Sequence, residues 1–233
     1  MTPSRSLKSY ALTFFRRFYL RKTSIDYDPD FLLSACLFLG FKIAQISVNM
    51  DIMKGVCPFL KEKHPEKNVE NILLMLEYEF FLINVLNYEF YVFCPYKAML
   101  GFLNEIRRNQ IKQDEILLDE NNLKDFELKC ESLIDQTFNT DLIFIFSYSQ
   151  LALSCIYLTA EQYNLDLGKL KSLLNIEESK YENFSKEIFP RVKEIFLTIK
   201  IISEEEFVNN KKKILKFLNR NPRYVEKIEK DRE

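Results

Sequence analysis

Two charged side chains stand where helical spacing surrounds them with apolar neighbours. The run "ACLFLGFKIAQ" at 35–45 carries Lys42 near its end, with Phe38, Leu39 and Ile46 at the i−4, i−3 and i+4 positions. Glu79 has Met75, Leu76, Leu82 and Ile83 at the same spacings. On a helix these residues are side-chain neighbours. A half-buried charge requires a partner, because an unpaired one costs several kcal/mol, typically about 3–5 once its mate is removed. The competing reading is a lysine that snorkels past a helix end and a solvated glutamate. Spacing alone does not decide, since Glu77 has equally apolar neighbours.

Other chemistry-bearing residues offer less. His64 is the single histidine and sits in the charged stretch "KEKHPEK" with no nucleophile or second ligand nearby, as a solvated loop residue would. The five cysteines, at 36, 57, 94, 130 and 155, form neither a CxxC pair nor a zinc spacing. Their apolar context reads as buried free thiols in a reducing compartment. Four scattered glycines leave no phosphate-cradling loop. No catalytic, cofactor or metal constellation emerges, and the chain reads as a non-enzyme.

The elements that would position Lys42 and Glu79 are helices. The chain has 233 residues, enough for one large or two small domains, with net charge −1. That balance gives no overall attraction to nucleic acid or anionic lipid. The longest apolar run, Phe31–Phe41, is shorter than the about 20 residues a membrane helix needs. The N-terminus lacks a signal-peptide pattern. These features imply a soluble, intracellular chain. Periodicity predicts helices at 5–22, 29–46, 50–56, 68–87, 95–108, 122–139, 148–163, 166–174, 177–201 and 203–218. Residues 109–121 read as a connection. Asp28-Pro29 supplies an N-cap and a proline at the first helical position. The helix it opens is apolar almost all round and should be central. Pro190 should kink or split the helix it occupies. "LIFIF" at 142–146 is the one strand candidate. The fold class is all-α.

The chain also repeats itself. "SACLFLGF" at 34–41 resembles "LSCIYLTA" at 153–160, with Cys36 on Cys155, an offset of 155 − 36 = 119 residues. Without a gap, Asp28 falls on Ser147, Leu32 on Leu151, and Ala11, Phe14, Phe15 and Tyr19 on Cys130, Leu133, Ile134 and Phe138. Downstream, Leu73, Leu76, Phe80 and Ile83 fall on Val192, Ile195, Ile199 and Ile202. Duplication is the expectation. The helix at 95–108 has no counterpart in the first unit, which would place one before Met1. A first unit missing its first helix should carry an apolar groove.

Two tandem five-helix units, each with a buried third helix, form the architecture of cyclins, and the residues resemble that family. "ALTFFRRFYLRKTSIDYDPDFLLSACLFLGFKIAQ" is similar to the second and third helices of a cyclin box. "LEYEFFLINVLNYEF" is similar to the fifth. With "FFRRFYL", "PY…FL" and "TD…YSQLALS", the pattern is most similar to the cyclin H type, the regulatory subunit of the kinase that phosphorylates other cyclin-dependent kinases and RNA polymerase II. The resemblance covers about residues 5–205. It implies an N-terminal box at 1–92 without its first helix, a C-terminal box at 93–202, and a C-terminal helix and charged tail at 203–233.

The resemblance also implies a site. In the family a lysine late in the third helix and a glutamate in the fifth pair at the kinase interface, which maps to Lys42 and Glu79. Leu39, Ile43, Gln45, Ile46, Phe80, Ile83, Tyr88 and Phe90 would line the surface receiving the kinase's C-helix. Core packing is the alternative for most of them. The acidic residues that usually follow the lysine are here Ala44 and Gln45, which removes one carboxylate contact. The implied partner is a cyclin-dependent kinase catalytic subunit, with a RING-finger assembly factor beside it. No membrane and no direct nucleic acid is expected, and the location implied is nuclear and also cytoplasmic. Two other readings stay open. One is a cyclin-fold transcription factor of the TFIIB type, for which the chain lacks a zinc ribbon and a basic face. Its basic clusters are 16–22, 107–108 and 211–223, the last a solvated helix face or part of a nuclear-import signal. The other is a cyclin-like scaffold that activates no kinase.

Overall fold

The computed structural model describes residues 4–24, 26–47, 65–113, 117–118 and 120–198, with isolated positions at 206, 209, 212 and 213. Its regular elements are all helical: α1 (Arg5–Tyr19), α2 (Pro29–Ile43), α3 (Pro65–Val85), α4 (Pro95–Gln113), α5 (Glu120–Thr137), the short α6 (Leu142–Ile145), α7 (Tyr148–Gln162), α8 (Leu167–Leu174), α9 (Glu178–Asn183), a π turn (Phe184–Ile188) and α10 (Phe189–Thr198). The helix expected at 50–56, His64 and Cys57 lie outside the described residues, as does nearly all of the helix expected at 203–218. "LIFIF" forms α6 rather than a strand.

Two compact units result. One is built from Tyr10–Phe90, the other from Met1–Ser9 with Tyr91–Ile199. In the first, α2 packs along α3, and Phe14, Phe18, Leu32, Cys36 and Leu82 are fully enclosed. Asp28 caps α2 by accepting the Asp30 N–H at 2.8 Å, and its own N–H donates to the Tyr78 hydroxyl of α3 at 2.9 Å. The cap therefore fixes both the start of α2 and its height on α3. Arg21 donates to the Val85 carbonyl at 2.8 Å and satisfies an orphan acceptor at the end of α3.

In the second unit α7 is the hub. Every residue from Leu151 to Ala160 is buried, covered by α4, α5, α8 and α10. Of the buried hydroxyls on this helix, Tyr157 makes no hydrogen bond among the described residues, whereas Ser154 donates to the Gln150 carbonyl at 2.8 Å. Thr159 bonds the Cys155 carbonyl at 2.8 Å, and Cys130 on α5 reaches the Thr159 hydroxyl at 3.3 Å. The helix α4 runs five residues past the predicted end at Arg108, because Asn109 is buried and satisfied: its amide donates to the Leu173 carbonyl at 2.7 Å and to Glu105 at 3.1 Å. The helix expected at 177–201 is split as Pro190 predicts, though it stays continuous as helix: α9 gives way to a π turn and then to α10, with Pro190 second in α10. In that wide turn the Phe189 N–H reaches the Phe184 carbonyl five residues back. The extra residue relieves the clash a proline ring makes with an ordinary helical carbonyl.

The 119-residue offset is exact for the central helices, since α2 spans 29–43 and α7 spans 148–162. Burial follows it for Leu32 with Leu151 and Cys36 with Cys155 on these helices and, on α1 and α5, for Ala11 with Cys130 and Phe14 with Leu133; Phe15 and Tyr19 are only half-buried where Ile134 and Phe138 are enclosed. The register is lost downstream. Leu73 is 58% exposed whereas Val192 is fully enclosed. The segments that follow the two central helices therefore reach their last helices in different phase.

Candidate functional site

The site is assembled at the α2–α3 seam of the first unit. Lys42 Nζ donates to both carboxylate oxygens of Glu79 at 2.8 Å. The lysine side chain is 52% exposed and the glutamate only 7%. The ammonium also stands 4.2 Å above the Phe38 ring, one helical turn back, a geometry that adds about 0.5–1 kcal/mol at an exposed position. Glu79 is thus a buried carboxylate covered by a cation that faces water. Glu77, indistinguishable by spacing, is exposed and unpaired among the described residues.

Lys42 is held at the seam by the way α2 ends. Ile46 N–H bonds the Phe41 carbonyl and Gln45 N–H bonds the Lys42 carbonyl, with Gln45 in the left-handed region at φ 56°. This is the Schellman arrangement, normally completed by glycine. The exit of α3 repeats it less favourably: Asn87 and Tyr88 both have positive φ, 52° and 61°, and Tyr88 N–H bonds the Ile83 carbonyl. Two such turns project Ile46 and Tyr88 outward.

The remaining predicted residues divide by burial. Leu39 is 4% exposed and belongs to the core. Ile43, Ile83 and Phe90 are half-buried, and Phe90 meets Phe14 edge to face at 6.4 Å. Gln45 is exposed, as are Ile46 (39%), Phe80 (63%) and Tyr88 (66%). Leu39 therefore lies beneath the surface, as does the covered Glu79, whereas the other eight residues reach solvent wholly or in part. Sequence reasoning undervalued two features. Phe38 is the platform under the lysine, detectable as its i−4 aromatic. Leu73 and Leu76 (40%) extend the exposed apolar stripe of Phe80 toward the start of α3; their helical spacing resembled that of core positions. No group of metal-ligating residues is present among the described residues, and no described helix is long and apolar enough to cross a membrane.

An ion pair closed over a buried carboxylate is thus flanked by solvent-facing apolar side chains, all carried on helices or the turns that end them. A family model described as "Cyclin C-terminal domain" matches residues 94–220, more than half of the chain, and the chain belongs to the cyclin family. It is 23% identical over 197 residues to Cyclin-C1-1 of Arabidopsis thaliana, covering 84% of this chain and 70% of that one. Identity to Cyclin-H of Xenopus laevis is 26%, over 71% of this chain and 48% of the relative. Identity to Cyclin mcs2 of Schizosaccharomyces pombe is also 26%, over 93% and 72%. The chain thus spans between about half and three quarters of these relatives' lengths. Among solved structures, a chain of the CAK complex from Chaetomium thermophilum bound to ATP-γ-S superposes with TM-score 0.60 at 21% identity, covering 98% of this chain and 71% of that chain. A chain of the yeast TFIIK complex gives TM-score 0.52 at 21% identity, with 75% of each covered.

Proposed function

We propose that this chain is a regulatory cyclin that binds and activates a cyclin-dependent kinase of the CDK-activating or RNA polymerase II kinase type. The observation that carries the reading is the Lys42–Glu79 pair, already closed at 2.8 Å beside exposed Phe80 and Ile46. The relatives named Cyclin-H and the fold shared with chains of the CAK and TFIIK complexes support the kinase class. A RING-finger assembly factor as third subunit and a nuclear location belong to the same reading.

The mechanism is differential binding. A kinase's lysine–glutamate pair orients ATP only when its C-helix is turned inward. A surface complementary to that inward position alone shifts the population toward it. Ile43, Ile83 and Phe90 supply apolar area, Phe80, Ile46 and Tyr88 reach outward, and Lys42 retains exposed N–H donors for main-chain carbonyls of the partner. Because the pair is formed before docking, little ordering cost is left for binding.

Co-purification with the kinase tests this. Phe80→Ala and Ile46→Ala remove side chains that face water, so the melting temperature should hold while kinase capture and kinase activity fall together. Lys42→Ala should abolish capture. Full capture by all three variants would sink the assignment.

A further inference from the structure

The basic run 16–22 has no part in the kinase surface. Its last two residues, Arg21 and Lys22, border a hollow of about 520 Å³ in the first unit, whose walls include Tyr27, Asn84 and Phe81. Phe81 also borders a second hollow of about 430 Å³, formed by Leu73, Leu76, Glu77 and Phe80. Phe81 is common to both hollows, which therefore lie side by side along α3, one walled mainly by apolar side chains and the other bordered by the two cations. Leu73 (58%), Phe80 (63%) and Phe81 (43%) all stand open to solvent. Arg21 Nη1 donates to the Val85 carbonyl at 2.8 Å and, with the Asn87 amide turned to satisfy its own bonds, to the Asn87 oxygen at 3.2 Å; Nε and Nη2 make no bond among the described residues. The Lys22 side chain is exposed and bonds nothing among the described residues, and neither cation faces a carboxylate there. Lys22 shares its lack of an ion partner with other exposed lysines such as Lys124 and Lys129; what sets Arg21 and Lys22 apart is that both border a hollow walled in part by aromatic side chains.

We propose that these two hollows dock a short segment of a partner protein in which acidic residues adjoin apolar anchors. Aspartate or glutamate carboxylates meet Arg21 and Lys22, and the apolar side chains lie between Phe81 and Leu73. Charge complementarity selects this occupant, because isolated cations beside an apolar floor favour a carboxylate they can bond without an internal competitor. Glu77, between Leu73 and Phe81 in the second hollow, repels carboxylates there and so keeps the acidic end of the segment at Arg21 and Lys22. The proposal does not require the kinase reading, although Phe80 borders both surfaces.

Selection of a random dodecapeptide phage library on the whole chain tests it, with the enriched peptide then synthesised and titrated by fluorescence anisotropy. Enriched sequences should carry Asp or Glu next to large apolar residues. Lys22→Glu should weaken the peptide by about tenfold or more, and Leu73→Asp should abolish binding. Raising salt from roughly 0.05 to 0.5 M should weaken it further. Lys42→Ala should leave peptide affinity unchanged, and Lys22→Glu should leave kinase capture unchanged, so failure of one reading is distinguished from failure of the other. The proposal is overturned if nothing is enriched, if the enriched peptides lack acidic residues, or if they bind Lys22→Glu as well as the parent.

Discussion

Lys42 and Glu79 share an ion pair unequally between water and protein. With the cation half-exposed and the carboxylate buried, the two halves should respond differently to removal. Lys42→Ala strands a buried carboxylate, a change that costs about 3–5 kcal/mol when both charges are enclosed. Water can approach from the vacated lysine side, so about 1–3 kcal/mol is expected here. Glu79→Gln keeps the packing and returns the lysine to solvent, so urea unfolding should place it nearer the parent than Lys42→Ala. The reverse order would mean that the pair is not the reason Glu79 tolerates burial. Part of this was legible in the sequence. The apolar context of both residues raised the question of a partner but left a snorkelling lysine and a solvated glutamate open, and the resemblance to cyclins singled out Glu79 over Glu77. What spacing could not reveal was the phase of α3 against α2, which turns Glu79 inward and Glu77 out.

At the scale of elements, the duplicated hydrophobic pattern and the caps agree. Asp28 and Ser147 stand 119 residues apart and both cap their helices, Ser147 through a reciprocal bond with Gln150. Gln45 and Asn164 share the offset, and both close Schellman turns at positive φ, 56° and 53°. Asparagine visits this region more readily than glutamine, and glycine does so freely. Gln45→Gly should therefore raise stability by about 1 kcal/mol, and Asn164→Gly by less. A calorimetric melt compares them, and a drop in melting temperature for Gln45→Gly would show that Gln45 has a bond or contact worth more than the strain. N-caps and the central helices were readable because they depend on neighbours in sequence. The slip between Leu73 and Val192 was not, since it depends on how each last helix meets its own unit.

Across the whole molecule the charges nearly cancel, yet their placement is uneven. Glu127, Glu131 and Asp135 follow one another at helical spacing on α5. Arg5 pairs with the first two, Lys8 with Asp135 at 2.6 Å, and the Tyr96 hydroxyl also donates to Asp135. Burial raises the Glu131 carboxyl above its usual range, opposed by Arg5 and reinforced by Glu127 and Asp135. A carboxyl raised on folding stabilises the native state most below its unfolded value, near about 4.3, and that contribution is lost as pH rises through the folded value. Glu131→Gln should therefore melt above the parent at pH 7, with the gap closing as pH falls toward 4. A gap that widens toward acid pH would reverse the assignment.

The sequence by itself determined the all-helical class, the twin central helices, their caps and the cyclin resemblance, because each rests on local periodicity or on residue types a few positions apart. It also marked Lys42 as a cation out of place. The tertiary structure alone decided which of the apolar neighbours face water. Leu39 and Phe80 are equally hydrophobic and equally well placed on a helix, yet one is covered and the other open. Burial depends on which helix lies across the seam, and that choice is made by residues distant in the chain.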